Sequence, residues 1–364
     1  MRVPPQIRLN IGKVFLITVV YALVSLFLTT FVHSVLHSPF SLGPSVLFNH
    51  ERQLFTGVLT SIMAGIVSGS TLVWVNGTLF RKRPFYYSML VTAIMYLTVF
   101  GMIMVINVFV IARFYRGANA SFDQMFWTIF EFVTDITVLL YFILWGFITL
   151  STLFFLQVND KFGPGILIKF LRGQYHTPKD EQRVFMFLDM RSSTSIAEKI
   201  GHHEYFNLLR DLFAEVTPTI LKYGGEIYQY VGDEVVLSWP LERGLKNASC
   251  VRCFLEVEDH LKELAPHYLK EYGCSPEFKA GLHFGQVTAG EVGVIKKDIV
   301  YSGDVLNTAA RIQAQCNQYK VNLLLSDELY HLLDHQNQFE LISIGSIDLR
   351  GKVEKVPLST LKRA

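Results

Sequence analysis

The chain has 364 residues, of which 51% are hydrophobic and only 18% are charged, and its mean hydropathy is +0.32. An ordinary soluble domain carries about 25% charged residues, so this composition excludes a disordered chain and disfavours a wholly soluble one. The formal net charge of +2 lacks the basic excess of nucleic-acid-binding proteins, so we expect no nucleic-acid partner.

The charged residues are distributed unevenly along the chain. Residues 1–157 contain 9 Lys and Arg and 4 Asp and Glu, whereas residues 158–364 contain 24 and 27. We therefore predict a transmembrane domain over 1–157, a linker over 158–182 and a globular domain over 183–364. All four cysteines lie in the globular half, a number and placement that fit a reducing compartment rather than a disulfide framework.

Four apolar stretches predict four transmembrane helices, over 14–32, 53–80, 84–112 and 124–157. Each is long enough to cross a hydrocarbon core of about 30 Å at 1.5 Å per residue. The first is too long for the apolar part of a secretory signal, so we interpret it as a retained span. Lys and Arg flank the N-terminus, the loop at 81–83 and the end of the fourth span. The positive-inside rule then places the N-terminus and the globular half in the cytoplasm of a multi-pass plasma-membrane or inner-membrane protein.

Two pairs of polar residues lie near the predicted outer ends of these helices. His33 and His37 are four residues apart, and so are Glu131 and Asp135, so each pair shares a helix face. The four could bind a metal or a polar ligand. We prefer the interpretation that they contact lipid headgroups and water, because no pattern places the two helices side by side.

The linker contains Gly163-Pro164-Gly165, which ends the fourth predicted helix. A short apolar run and a basic, polar stretch follow. The linker is either a passive tether or an element that transmits a change from the helices to the globular half.

The hydrophobic pattern of the globular half predicts an α+β fold in which short strands and helices alternate. Gly232-Asp233 between two strand-like runs predicts a tight hairpin. The predicted strands cover 184–190, 226–231, 234–239, 277–283, 286–291 and 322–326. The predicted helices cover 196–200, 205–223, 245–264 and 305–318.

Two carboxylates lie at strand ends. Asp189 ends the first strand of the globular half, and Asp233 lies in the hairpin turn. If the strands are neighbours, the carboxylates converge beside a helix that starts at Ser192, Ser193 and Thr194, whose backbone N–H groups suit a phosphate. Two carboxylates beside a triphosphate suit Mg²⁺ or Mn²⁺. The alternative is that each Asp only caps a turn.

Four motifs in order, FLDMRSST, YQYVGDEVVLSW, GLHFGQVTAGEVG and YSGDVLNTAARIQ, resemble the catalytic domain of class III nucleotidyl cyclases. Diguanylate cyclases also carry a Gly-Asp-Glu hairpin but lack the N-x-x-x-R motif found here. The resemblance implies a ferredoxin-like central sheet flanked by helices over 183–364. It also implies an adenylate cyclase of intracellular signalling that forms cyclic AMP and pyrophosphate from ATP.

The resemblance also implies roles for individual residues. Asp189, Asp233 and the backbone of Met190 would bind two Mg²⁺ or Mn²⁺ ions, which promote in-line attack by the ribose 3′-hydroxyl. Asn307 and Arg311, four apart on one helix face, would act on the ribose and the reacting phosphate. In the family this pair comes from the partner subunit, so a homodimer with shared sites is expected.

The expected substrate-binding residues are Ser192, Ser193, Thr194, Gln229, Val300 and Lys352, with Arg350 as an alternative to Lys352. Gln229 and Val300 occupy the two purine-selecting positions and differ from the residues usual there. ATP is the preferred substrate because the guanine-type residues are absent. The alternatives are a guanylate cyclase and an inactive membrane receptor that uses the fold as a dimerisation module.

Overall fold

A computed structural model describes residues 5–36, 50–78, 86–87, 89–99, 101–102, 123, 126–127, 130, 136–162, 173–295, 297–334, 338–347 and 355–363. The chain divides into two compact units, Met1–Pro164 and Gly165–Ala364. The division falls within the Gly-Pro-Gly sequence that follows the last apolar stretch.

The first unit is helical wherever it is described. Its long helices are α1 (Pro5–Leu36), α2 (His50–Thr78) and α3 (Ile136–Phe162). Among the described residues, one helical segment, Asn10–Phe31, is long and apolar enough to cross a membrane, with a mean hydropathy of 2.4. Three apolar helical segments are shorter, namely Gly57–Thr71, Met89–Val99 and Phe142–Leu156.

The predicted bundle of four spanning helices is therefore supported in its first member only. Much of the third and fourth predicted helices lies outside the described residues, as do His37, Glu131, Asp135 and the side chain of His33.

The helices of the first unit pack through a glycine and a polar bridge. A Cβ added at Gly65 would lie 2.7 Å from Thr18 Cα, so only glycine permits this close approach of α2 to α1. Tyr21 Oη donates a hydrogen bond to Thr149 Oγ1 at 3.2 Å, and its ring lies 5.3 Å from that of Trp145. These contacts join α1 to both α2 and α3.

The outer surface of these helices is apolar. The side chains of Phe15, Phe27 and Phe147 are 70%, 65% and 69% exposed. In the most apolar stretch of α1, only 17% of the residues are buried. Soluble monomers rarely expose large contiguous apolar patches. The surface of these helices is thus of the kind that lipid contacts.

The second unit is built on one eight-stranded sheet with the order β2-β3-β1-β4-β6-β8-β7, to which β5 adds by pairing with β4. Neighbouring strands are antiparallel except β4 and β6, which are parallel. The strands are β1 (Lys179–Met190), β2 (Glu226–Val231), β3 (Glu234–Pro240), β4 (Phe278–Val292), β5 (Asp298–Ser302), β6 (Leu323–Ser326), β7 (Phe339–Ile347) and β8 (Val356–Arg363). The helices are α4 (Ser193–Ile200), α5 (His202–Lys222), α6 (Leu241–Leu245), α7 (Ser249–Tyr272), α8 (Asp304–Tyr319) and α9 (Asp327–Leu332).

The alternation of side chains along β1 gives the sheet two different faces. Met186 and Leu188 point into the larger core, which α5 and α7 cover and which we call the α5/α7 face. Phe185 and Phe187 point to the opposite side, where α8 packs against part of the sheet, and we call this the α8 face. Asp189 follows the same alternation and lies on the α8 face.

One predicted break between strands is wrong. The expected strands over 277–283 and 286–291 form the single strand β4. Gly285 does not form a turn there. A Cβ added at Gly285 would lie 2.6 Å from Val305 Cγ2, so the glycine lets α8 pack directly on β4.

The predicted helix over 245–264 is also wrong in its limits. It begins as α6, is interrupted at Asn247 and Ala248, whose φ angles are 54° and 49°, and continues as α7 to Tyr272. The Cys250 and Cys253 thiols are free and buried in α7, so this pair contributes to helix packing.

Candidate active site

The sheet register places Asp189 and Asp233 next to each other. β1 pairs antiparallel with β3, with Asp189 opposite Glu234, so the hairpin turn that carries Asp233 lies beside the end of β1. The Asp233 carboxyl group lies within hydrogen-bonding reach of both the Asp189 carboxyl and the Ser193 hydroxyl. The strands are neighbours, which is the condition under which the sequence predicts convergence, and the two carboxylates meet beside the start of α4.

Burial and crowded negative charge raise the pKa of two carboxyl groups beside Asp189. Burial raises the pKa of Asp233, and the hydrogen bond and negative charge of Asp189 raise it further, against a lowering effect of Ser193. Burial, and then the charges of Asp189 and Asp233, raise the pKa of Glu234 to about 7, with Lys279 opposing. The end of β1 is therefore a region of excess negative charge.

Two side chains that sequence reasoning missed hold Asp189 in place. Lys279 Nζ lies 3.0 Å from Asp189 Oδ2, and Gln313 Nε2 donates to the same oxygen at 2.8 Å. Lys279 lies directly opposite Asp189 on β4, and Gln313 comes from α8. No sequence signal identifies them, because one contact depends on β4 lying beside β1 and the other on α8 packing against this part of the sheet.

The residues proposed to cradle phosphate surround the turn after β1. Ser192 adopts a left-handed conformation with φ 56°, and α4 begins at Ser193. Ser192 and Thr194 are exposed, and the first N–H groups of a helix have no acceptor within it. The Met190 side chain is buried in the core, which leaves its backbone beside Asp189.

Asn307 and Arg311 lie on a different side of α8 from the residue that reaches Asp189. At 100° per residue, Arg311 and Asn307 project about 160° and about 120° around the helix from Gln313. Asn307 is exposed and Arg311 is half-buried, with an Nη1 that is buried and has no hydrogen-bond partner among the described residues. One chain therefore does not direct this pair at its own carboxylates.

Two of the remaining predicted site residues lie on strands of the sheet, and the third is not described by the structure. Gln229 is exposed on β2 and pairs with Val236, and Val300 is half-buried on β5 and pairs with Gly290. Lys352, like Arg350, lies outside the described residues.

Comparison with known proteins decides the family. Residues 175–360, about half of the chain, match the profile of the adenylate and guanylate cyclase catalytic domain. The chain belongs to this family. The resemblance in the four sequence motifs is thus confirmed, and the second unit is a class III cyclase domain.

Named relatives share this cyclase domain. The chain is 34% identical to adenylate cyclase 2 of Rhizobium meliloti (strain 1021) over 209 residues, which is 57% of this chain and 58% of the relative. It is 28% identical to an adenylate cyclase of Anabaena cylindrica over 184 residues, or 49% of this chain and 36% of the relative. The chain thus spans about 58% or less of the length of these two relatives.

A solved structure has a similar fold. The structure of a bacterial light-regulated adenylyl cyclase superposes with a TM-score of 0.53 at 24% sequence identity, covering 63% of this chain and 66% of that one. At this identity the likeness concerns the fold alone.

The carboxylates of the cyclase domain fit a divalent cation that is shared with a nucleotide. Within the described residues, no group of three or more His, Cys, Asp or Glu side chains forms a complete metal site. Mg²⁺ is commonly bound by one or two carboxylates together with substrate phosphates. Asp189 and Asp233 supply such a pair of hard oxygen ligands, and a cation would offset both the burial and the Asp189 charge that raise the pKa of Asp233.

Proposed function

We propose that the chain is a membrane-bound adenylate cyclase that converts ATP to 3′,5′-cyclic AMP and pyrophosphate in intracellular signalling. The observation that carries this proposal is the pair of carboxylates, Asp189 and Asp233, beside the start of α4 in a domain of this family. The names of the R. meliloti and A. cylindrica relatives support ATP as the substrate.

The carboxylate end of the sheet would bind the triphosphate. Asp189, Asp233 and the Met190 backbone would hold two Mg²⁺ or Mn²⁺ ions, which when bound neutralise phosphate charge and lower the pKa of the ribose 3′-hydroxyl. The N–H groups and hydroxyls at 192–194 would surround the phosphates at the helix start. Lys352 would contact the terminal phosphates.

Asn307 and Arg311 would act on the nucleotide bound by a second copy of the chain. Their position on α8, away from Gln313, supports a homodimer in which each site takes residues from both subunits. The Arg311 guanidinium stays charged at any physiological pH and would stabilise the charge that develops on the reacting phosphate. Asn307 would orient the ribose.

The base would lie against β2 and β5, near Gln229 and Val300. The amide of Gln229 can donate and accept hydrogen bonds, so it can recognise adenine. The same property allows guanine, so GTP is the substrate that the experiment must exclude.

The first unit would anchor the enzyme in the plasma or inner membrane as four spanning helices, with both termini in the cytoplasm. The span Asn10–Phe31 and the exposed aromatic side chains of α1 and α3 support this anchoring. Protease digestion of sealed membrane vesicles of known orientation tests it. The catalytic domain should be degraded only when its predicted cytoplasmic side is outside.

The activity itself is tested on the purified full chain. We expect ATP with Mg²⁺ or Mn²⁺ to give cyclic AMP and pyrophosphate, and Asp233→Asn to abolish the product without unfolding the domain. Glu242→Gln, an exposed acid in α6, is the matched control and should keep full activity. Cyclic GMP alone would make the enzyme a guanylate cyclase. No product from a folded dimer would favour the inactive receptor and overturn the proposal.

A further inference from the structure

Two strands that are not neighbours in the sheet are joined across the α8 face. The strand order puts β3, β1 and β4 between β2 and β5. Nevertheless the rings of Tyr228 on β2 and Tyr301 on β5 have centroids only 5.1 Å apart. The Tyr301 backbone N–H donates a hydrogen bond to Tyr228 Oη at 3.4 Å. The two tyrosines thus bridge the sheet.

A β-bulge directs Tyr228 towards this bridge. Ile227 pairs with Leu237 and Gln229 pairs with Val236, so Tyr228 is an extra residue without its own partner in the register. A bulge of this kind places two successive side chains on the same face of a sheet. Tyr228 and Gln229 therefore both lie on the α8 face, where Tyr228 packs with Val236.

The other end of the bridge is firmly held. Tyr301 is 8% exposed, its ring lies 5.5 Å from that of Phe185, and the Arg183 guanidinium lies 4.8 Å from its centre. Its hydroxyl also forms a hydrogen bond with Tyr175. Tyr301 is therefore a fixed point against which Tyr228 rests.

The bridge joins residues that are adjacent to both purine-selecting positions. Tyr228 precedes Gln229, and the N–H that bonds to Tyr228 Oη belongs to the peptide between Val300 and Tyr301. We propose that Tyr228 is a positioning residue that fixes the distance between Gln229 and the Val300–Tyr301 peptide and thereby sets the selectivity between adenine and guanine. This inference rests on the proposed cyclase function.

The variant Tyr228→Phe keeps the ring and removes the hydroxyl acceptor. We expect the ratio of kcat/KM for ATP to that for GTP to fall about fivefold, the factor that corresponds to one net hydrogen bond. The loss should lie in KM for ATP, with kcat within about twofold of the parent, because Tyr228 positions the groups that contact the base and not those that contact the reacting phosphate. In the inactive Arg311→Ala background, Tyr228→Phe should change the ratio of the ATP and GTP dissociation constants by the same factor of about five.

Tyr230→Phe is the matched control. Tyr230 lies two residues further along β2 but on the α5/α7 face, where its ring is 4.9 Å from that of Phe213 and its hydroxyl bonds to Thr217. Tyr230→Phe should leave the ratio of kcat/KM for ATP to that for GTP unchanged, although it also removes a hydrogen-bonded hydroxyl.

Three outcomes separate this inference from the proposed function. An unchanged ratio in Tyr228→Phe, or an equal change in Tyr230→Phe, overturns the positioning role while the parent enzyme stays active. No cyclic nucleotide from the parent chain instead refutes the proposed function. If Tyr228→Phe lowers the melting temperature by more than a few degrees, the assay is run well below it, and the test stays valid because the ratio of the two kcat/KM values does not depend on the fraction of folded enzyme.

Discussion

The two ends of β1 present opposite electrostatic situations on the same face of the sheet. Arg183 and Asp189 are six residues, or about 20 Å, apart and both lie on the α8 face. At the first end, the buried Arg183 guanidinium donates to Glu181 at 2.9 Å, to Glu226 at 2.5 Å and to Ser238 at 3.0 Å. Its positive charge is therefore matched by carboxylates within the same chain.

At the second end, charge is left over. Asp189, Asp233 and Glu234 lie together, the Lys279 ammonium group is the one cation paired with them among the described residues, and the pKa values of Asp233 and Glu234 are raised. The difference teaches that one strand can carry two kinds of polar cluster. In the first, a buried cation has carboxylate partners within the chain; in the second, which we propose binds the nucleotide, the excess negative charge is left for a ligand to compensate.

Arg311 and Arg183 should respond to substitution in opposite ways. The largest expected effect is the loss of activity on replacing Arg311. Arg311→Ala should lower kcat by about 10³-fold, because it removes the charge that stabilises the transition state. It should change the free energy of unfolding by less than about 1 kcal/mol, since the guanidinium leaves Nη1 without a partner in the described part of the chain. Steady-state kinetics and chemical denaturation check both. A large loss of stability would contradict the assignment to substrate.

Arg183 should show the reverse pattern. Arg183→Met leaves Glu181 and Glu226 partly buried without their cation, and this should cost about 3 kcal/mol of unfolding free energy. Arg210→Met, at an exposed arginine that pairs with Asp211, should cost less than about 0.5 kcal/mol. Denaturant titration of each variant gives the comparison. Equal effects of the two changes would show that the buried cluster does not stabilise the fold.

A smaller, pH-dependent effect is expected at Glu234. Its pKa is raised from 4.5 to about 7, so the folded state binds the proton more tightly than the unfolded state. Stability should therefore fall as the pH rises from about 4.5 to 7, and Glu234→Gln should remove this loss. Relative to the parent, the unfolding free energy of Glu234→Gln should be unchanged below pH 4.5 and higher by about 1–2 kcal/mol above pH 7, after allowance for partial solvent screening.

Melting curves across this pH range measure the effect. Glu242→Gln, at an exposed acid, serves as the control and should show no such dependence. If Glu234→Gln raises the stability by the same amount at every pH, the charge of Glu234 is not what destabilises the parent protein.

The sequence predicted the local parts of the site, Asp189 at a strand end and Asp233 in a hairpin turn. Their convergence also requires β3 to pair with β1, a condition that the sequence left open and that the structure meets. The contacts of Lys279 and Gln313 could not be predicted, because they depend on which distant strand pairs with β1 and on where α8 packs against the sheet. The bulge at Tyr228 was equally hidden, since it is set by the register between β2 and β3.

Complementation between two inactive chains tests the central claim, a cyclase whose sites are shared between subunits. Asp233→Ala and Arg311→Ala should each be inactive alone. Random mixing should place one intact site in each heterodimer and restore about a quarter of the parent activity with ATP. Absence of cyclic AMP from mixtures that contain heterodimers, as verified with two different affinity tags, would contradict the shared site.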